Sequence, residues 1–173
     1  MAKPGFKIVG FTAYLERVTN VVAQEIAELI ISELQDDGPA YTGEFRNAWE
    51  AVPRVGARIP ADQESKYEGM LDRMTAPTEP KKDIKVPPLK GRKKEQGYTI
   101  GNRMEYRDIA LDLDPEKLRI ANQPKQNTAP ADWYVTFVQG GKLNDILRAG
   151  TNQAAKNPKV RGFNPNSRGT RFS

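Results

Sequence analysis

From Thr12 to Gln35 the apolar residues Leu15, Val18, Val22, Ile26, Leu29 and Ile30 recur largely at intervals of three and four, with Glu16, Arg17, Gln24, Glu25, Glu28 and Glu33 between them. That spacing puts the apolar set on one face of a helix, and Thr12 is suited to cap its start. A helix over these 24 residues is about 36 Å long. Val21, Ile31 and Leu34 widen the stripe beyond a narrow seam, so burial on a sheet or between neighbouring subunits is expected rather than a two-stranded coiled coil. Six such side chains, fully buried, supply on the order of 10 kcal/mol before entropy is counted.

Residues 5–11 in front of this helix are expected to be a short strand or an extended arm. Behind it, Gly38-Pro39 is a stop, because proline cannot continue the backbone ladder and disfavours helical geometry in the residue before it. Thr42 then serves as an N-cap, Glu44 lies in the favourable first turn, and Phe45 and Trp49, four apart, share a face. Glu50 to Val55 suits a strand interrupted or edged by Pro53. Residues 56–96 show no sustained period, hold five prolines and a basic run, and are expected to be an insertion reaching away from the core, with a helical turn near Glu64 to Met74. Gly97 to Asn102 reads as a strand that pairs with the one after Trp49.

Tyr106 to Leu113 is an apolar segment with acidic alternation at its end, followed by a turn or helix start at Asp114-Pro115. After a polar link, Asp132 is a candidate cap for the last ordered element, where Trp133, Phe137, Leu143, Ile146 and Leu147 line one face. Gly140-Gly141 costs a helix about 1 kcal/mol per glycine. Two alternatives follow: one kinked helix from 132 to about 155, or a strand Trp133–Val138 turning at the glycines into a helix from 142. From Lys156 onward five basic residues, no acids and Gly/Asn/Pro/Ser punctuation predict a flexible arm.

Composition narrows the chemistry. The mean hydropathy of −0.69, with 13 prolines and 14 glycines, favours a small core carrying long loops. No apolar run approaches the roughly 20 residues that span a bilayer, and Met1 to Gly5 lacks the apolar stretch of a secretory signal, so a soluble, non-secreted protein without a membrane partner is expected. Cysteine and histidine are both absent, which removes thiolate nucleophiles, disulfides and the usual zinc ligands. The net charge of +5 conceals an asymmetry: residues 1–80 carry 8 basic and 13 acidic side chains, and 81–173 carry 19 and 9. The halves are therefore −5 and +10, which suits either a polyanion or an oppositely charged neighbouring subunit.

The order of long helix, Pro39-x-x-Thr42-Gly43-x-Phe45-Arg46, strand, proline-rich insertion, Tyr98-centred strand, Tyr106 segment and Ala129-Pro130-x-x-Trp133 resembles the tail-completion (neck) proteins of tailed bacteriophages. The resemblance covers about residues 12–155. It departs in three places: the segment from Tyr106 to Asp114 is one residue longer than the family's and lacks its glycine, the terminal helix carries two glycines, and the basic tail has no counterpart.

The resemblance implies an α+β fold, with a small, mostly antiparallel sheet packed against the long N-terminal helix and a C-terminal helix. Residues 1–155 would be a single domain with 56–96 as a loop insertion, and 156–173 a basic arm. It implies a structural virion protein rather than an enzyme, with no cofactor and no metal. Assembled in the bacterial host cytoplasm, it would form a ring of identical copies, six by resemblance, at the neck. Its partners there would be other neck proteins such as the connector or adaptor, the tail terminator or the tail tube, and packaged DNA without sequence preference. Thr42, Gly43, Phe45, Arg46, Trp49 and Trp133 become candidate interface residues. Lys90, Arg92, Lys93, Lys94, Arg161, Arg168 and Arg171 become candidate contacts to DNA or to a partner protein.

Two rival readings come from the residues themselves. A nonspecific nucleic-acid-binding protein would use the basic second half to neutralise phosphates, although aromatic residues are not interleaved there for base stacking. A metal-dependent nuclease would use Asp108, Asp112, Asp114 and Glu116, a spacing that occurs by chance very often.

Overall fold

The first helix dictates the architecture because its apolar stripe is too wide for one partner. In the computed structural model, which describes residues 9–39, 43–66, 79–89, 97–111, 129–130 and 132–161, helix α1 runs Val9–Asp37. Ala27, Ile31 and Leu34 are buried, and Leu29 and Ile30 pack against the same core. The helix ends as expected before Gly38-Pro39, with the Gly38 amide donating to the Leu34 carbonyl at 3.1 Å. Its start differs from expectation: Val9 to Phe11 are helical rather than extended, so Thr12 lies inside the helix and does not cap it. Gly10 within the first turns costs about 1 kcal/mol, too little to stop the helix.

A four-residue helix, α2 (Glu44–Asn47), leads straight into strand β1 (Trp49–Val52), which ends before Pro53. Strand β2 (Thr99–Asn102) pairs with it antiparallel, as the sequence predicts, in the register Trp49↔Asn102 and Ala51↔Ile100. Trp49 and Ala51 face inward, the alternation of a sheet packed on one side. Across the sheet, the Ile59 side chain lies over Gly101, where an added Cβ would stand 3.0 Å from Ile59 Cδ1. Residues 59–66 continue alongside the end of β2: the Gln63 amide donates to the Arg103 carbonyl at 2.9 Å, and the Glu105 amide donates to the Gln63 carbonyl at 3.1 Å. The described parts of 56–96 therefore lie against the body instead of reaching away from it. Ile59 and Val86 are both buried.

After α3 (Arg107–Leu111) come α4 (Trp133–Gln139), α5 (Lys142–Lys156) and α6 (Pro158–Arg161). Of the two alternatives for this region, the strand over 133–138 is not found. Two helices meet at Gly140-Gly141 instead, and Gly141, at φ 93°, stands in the left-handed geometry of the α5 N-cap. Asp132 occupies the N-cap position of α4, but its carboxylate accepts from the Thr136 hydroxyl at 3.2 Å and not from a backbone amide.

Helix α5 runs antiparallel along α1. Lys142 bonds Glu33 and Asp37 near the end of α1, Gln153 and Asn157 bond Glu25, and the Tyr14 hydroxyl donates to the Val160 carbonyl at 3.0 Å. The two helices touch where small residues allow it, at Gly150 and Ala154 of α5, with Gly150 against Ile26. Over its described residues, 156–161, the expected arm is a helical turn bonded to α1. Among the described residues no helix is long and apolar enough to cross a membrane.

Candidate functional site

The Gly43-Glu44-Phe45-Arg46-Asn47 segment lies where α1, the sheet and the loop segments meet. Gly43 is required by geometry: its φ is 80°, and a Cβ there would fall onto the Glu79 carbonyl oxygen. Gly43 also takes the N-cap position of α2 that the sequence assigns to Thr42, a residue outside those described. Glu44 is 2% exposed, and its carboxylate accepts from the Ser65 hydroxyl and the Lys66 amide, both at 2.7 Å. Arg46 donates to the Glu79 carbonyl at 2.7 Å. Asn47 donates to the Pro80 carbonyl at 2.9 Å and accepts from the Lys82 amide at 2.9 Å. The segment is thus a polar clasp that holds two stretches of the proline-rich region onto the body.

Phe45 is the hub of the apolar side. Its ring meets Trp49 edge-on at 5.7 Å, stacks on Tyr106 at 6.1 Å and meets Trp133 edge-on at 6.3 Å. Trp49 belongs to β1, so it reaches Phe45 through the turn at Ala48 and not along a shared helix face. Trp133 is fixed by donation from Nε1 to the Ala110 carbonyl at 3.0 Å. Burial, with the carboxylates of Glu44 and Glu105 nearby, pushes the Tyr106 hydroxyl well above its ordinary pKa. Phe45, Trp49 and Trp133, expected as interface anchors, are 3%, 5% and 3% exposed within the single chain. They are core residues, because each ring is enclosed by elements of its own subunit. Arg46 is likewise engaged internally.

Residues 79–89 form a strap across this clasp and α1. Among the described residues its backbone makes no hydrogen bond to other backbone; side chains hold it instead. Besides Arg46 and Asn47, Gln35 donates to the Lys82 carbonyl at 3.0 Å, Gln24 to the Val86 carbonyl at 3.4 Å and the Tyr98 hydroxyl to the Pro87 carbonyl at 2.6 Å. Burial raises the Tyr98 pKa, and the Glu28 carboxylate adds to the effect, so the hydroxyl stays a donor. Val86 is buried and Ile84 packs against the core. Between strap and α1 runs a groove of about 590 Å³, lined on one side by Gln24, Glu28 and Ser32 and on the other by Lys81, Asp83 and Lys85. The Lys82 ammonium beside Glu79 lowers that carboxyl below its usual value, against the opposing pull of burial.

Charge complementarity between the halves is met partly inside the chain. Lys81 pairs with Asp36, Lys82 with Glu79, Arg103 with Asp62 and Lys142 with Glu33 and Asp37. Of the candidate DNA or partner contacts, Arg161 closes α6, while Lys90, Arg92, Lys93, Lys94, Arg168 and Arg171 lie outside the described residues. Asp108 stands in α3; Asp112, Asp114 and Glu116 also lie outside. Among the described residues no group of three or more acidic side chains is placed to hold a metal ion.

Gln24, Gln35, Asn47 and Tyr98 hold the strap; of these the sequence singles out Tyr98 as the centre of a strand, but assigns none of them to a strap. The one signal was polar residues on the inner side of a helix, with Gln35 only 3% exposed. A scan against protein-family models and searches of curated proteins and solved structures found nothing that matches this chain.

Proposed function

We propose that this chain is a structural virion protein of a tailed phage, assembling as a ring of identical copies at the neck, where it completes the tail and joins it to the capsid connector around the DNA channel. What supports the reading is convergence. The three stretches that carry the resemblance, Gly43-x-Phe45-Arg46, the Tyr106 segment and the Trp133 helix start, lie far apart in sequence yet meet on one ring, Phe45. A motif order shared with a family has a physical reason when its parts build one core. The work of the protein is then assembly, not catalysis, and a repeated head-to-tail interface closes the ring.

With Phe45, Trp49 and Trp133 inside the subunit, the ring contacts come from other residues. The basic second half retains a role at the DNA channel or against acidic partner surfaces. Electron microscopy of the purified full chain tests the proposal: closed rings with a central opening are expected. Particles of single-subunit size that coat DNA in a salt-dependent manner would replace this reading with that of a nonspecific nucleic-acid-binding protein.

A further inference from the structure

The strap at residues 79–89 is bound the way a receptor binds an extended peptide. Five of its carbonyls, at Glu79, Pro80, Lys82, Val86 and Pro87, accept hydrogen bonds from side chains of Arg46, Asn47, Gln35, Gln24 and Tyr98. One of its amides, at Lys82, donates to Asn47. Two apolar side chains, Ile84 and Val86, anchor it to the core. Lifting the strap would break no helix bond and no β1–β2 ladder bond, because none of those bonds involves it.

We propose that in the assembled protein this cradle takes the strap of a neighbouring copy of the same chain, so that straps are exchanged around the assembly. The bonds made in exchange are those made within one chain, so the exchange forfeits no contact, and swapping an identical element is a low-cost route to association. In sequence, twelve residues, 67–78, precede the strap and seven, 90–96, follow it to Gly97. Extended, they reach about 40 Å and about 23 Å. The ion pairs of the strap are the same whichever chain supplies it. The strap brings Lys81 and Lys85 to a face bearing Glu28 and Asp36, and the Lys81 ammonium meets the Asp36 carboxylate at 2.7 Å and the Ser32 hydroxyl at 3.1 Å. The exchange gives the ring reading, on which it rests, an interface that leaves the aromatic core internal.

The chain has no cysteine, so introduced thiols report without background. Full-length Ser32→Cys and Lys81→Cys variants, one of them affinity-tagged, are mixed, unfolded, refolded together and treated with a short bismaleimide. Exchange predicts tagged–untagged dimers on the order of tenfold above either variant alone, because adjacent subunits hold the two thiols at millimolar effective concentration. The double variant then gives covalent ladders. A double variant that cross-links only within single chains, with no hybrid dimer from the mixture, overturns the proposal. If Ser32→Cys fails to fold, Asp36→Cys replaces it against the same Lys81→Cys partner. Native mass spectrometry of the same samples separates the two claims: a ring whose straps stay internal sinks exchange alone, and hybrid dimers without a ring sink the neck reading alone.

Discussion

Asn102 is the residue whose loss should cost most for its size. It is 1% exposed, donates from Nδ2 to the Phe45 carbonyl at 2.7 Å and accepts at Oδ1 from the Met104 amide at 3.0 Å. Asn102→Ala leaves the buried Met104 amide without a partner, at about 1–3 kcal/mol, takes from the Phe45 carbonyl one of its two bonds, the other coming from the Ala48 amide at 3.2 Å, and opens a small cavity. The expected loss is therefore about 2–4 kcal/mol, a large share of a typical stability of about 5–15 kcal/mol. Asn47→Ala removes one bond more, but at a more exposed site where water substitutes, and should cost about 1 kcal/mol or less. Urea unfolding followed by tryptophan fluorescence measures both, since Trp49 and Trp133 sit in the core. Asn102→Asp adds a pH signature. Its carboxylate would face the Phe45 carbonyl out of water, so its folded pKa rises above the unfolded value. The variant should thus lose least relative to the parent at acid pH and progressively more as pH rises from the unfolded pKa through the folded one. An Asn102→Ala midpoint equal to the parent's at unchanged m-value would refute the claim that this side chain ties the Phe45 turn to the end of β2.

Gly150→Ala gains about 1 kcal/mol of helix propensity, yet the new Cβ would stand 2.6 Å from Ile26 Cγ1 and 3.1 Å from its Cα. Crowding of about 1–3 kcal/mol outweighs the gain, so a lower urea midpoint is expected. Gly43→Ala and Gly141→Ala both force alanine to positive φ, at about 1–2 kcal/mol, but only Gly43 would also strike Glu79, so its thermal midpoint should fall further. Lys142 has a pKa raised above its ordinary 10.5: burial pulls it down, and the Asp37 and Glu33 carboxylates more than compensate. Its stabilising contribution should be intact below that ordinary value and lost as pH climbs through the raised one, a slope that Lys142→Met removes.

Much of the framework was legible in the sequence because periodicity encodes it. The three-and-four spacing from Leu15 to Ile30 marks α1 as a helix, although its fully buried apolar residues are Ala27, Ile31 and Leu34 and Leu15 is exposed; Gly38-Pro39 marks its end, and Gly97 to Asn102 finds its partner in the strand that opens at Trp49. The role of the aromatic rings was not legible. Hydrophobicity says that Phe45, Trp49 and Trp133 are to be buried, but not whether their own chain or a neighbour does the burying. The strap was hidden for a different reason: an extended segment bonded through carbonyls to distant side chains leaves no period in its own residues. Ile59 and Val86, the apolar points that fasten the loop segments, are isolated among prolines and charges. Glu44, Gln35 and Asn102 are polar residues in buried places, which composition assigns to the surface.

Native mass spectrometry of the purified full-length chain tests the central claim most directly. The account predicts one dominant closed oligomer, six copies by resemblance, that survives dilution. A monomer at every accessible concentration would contradict it.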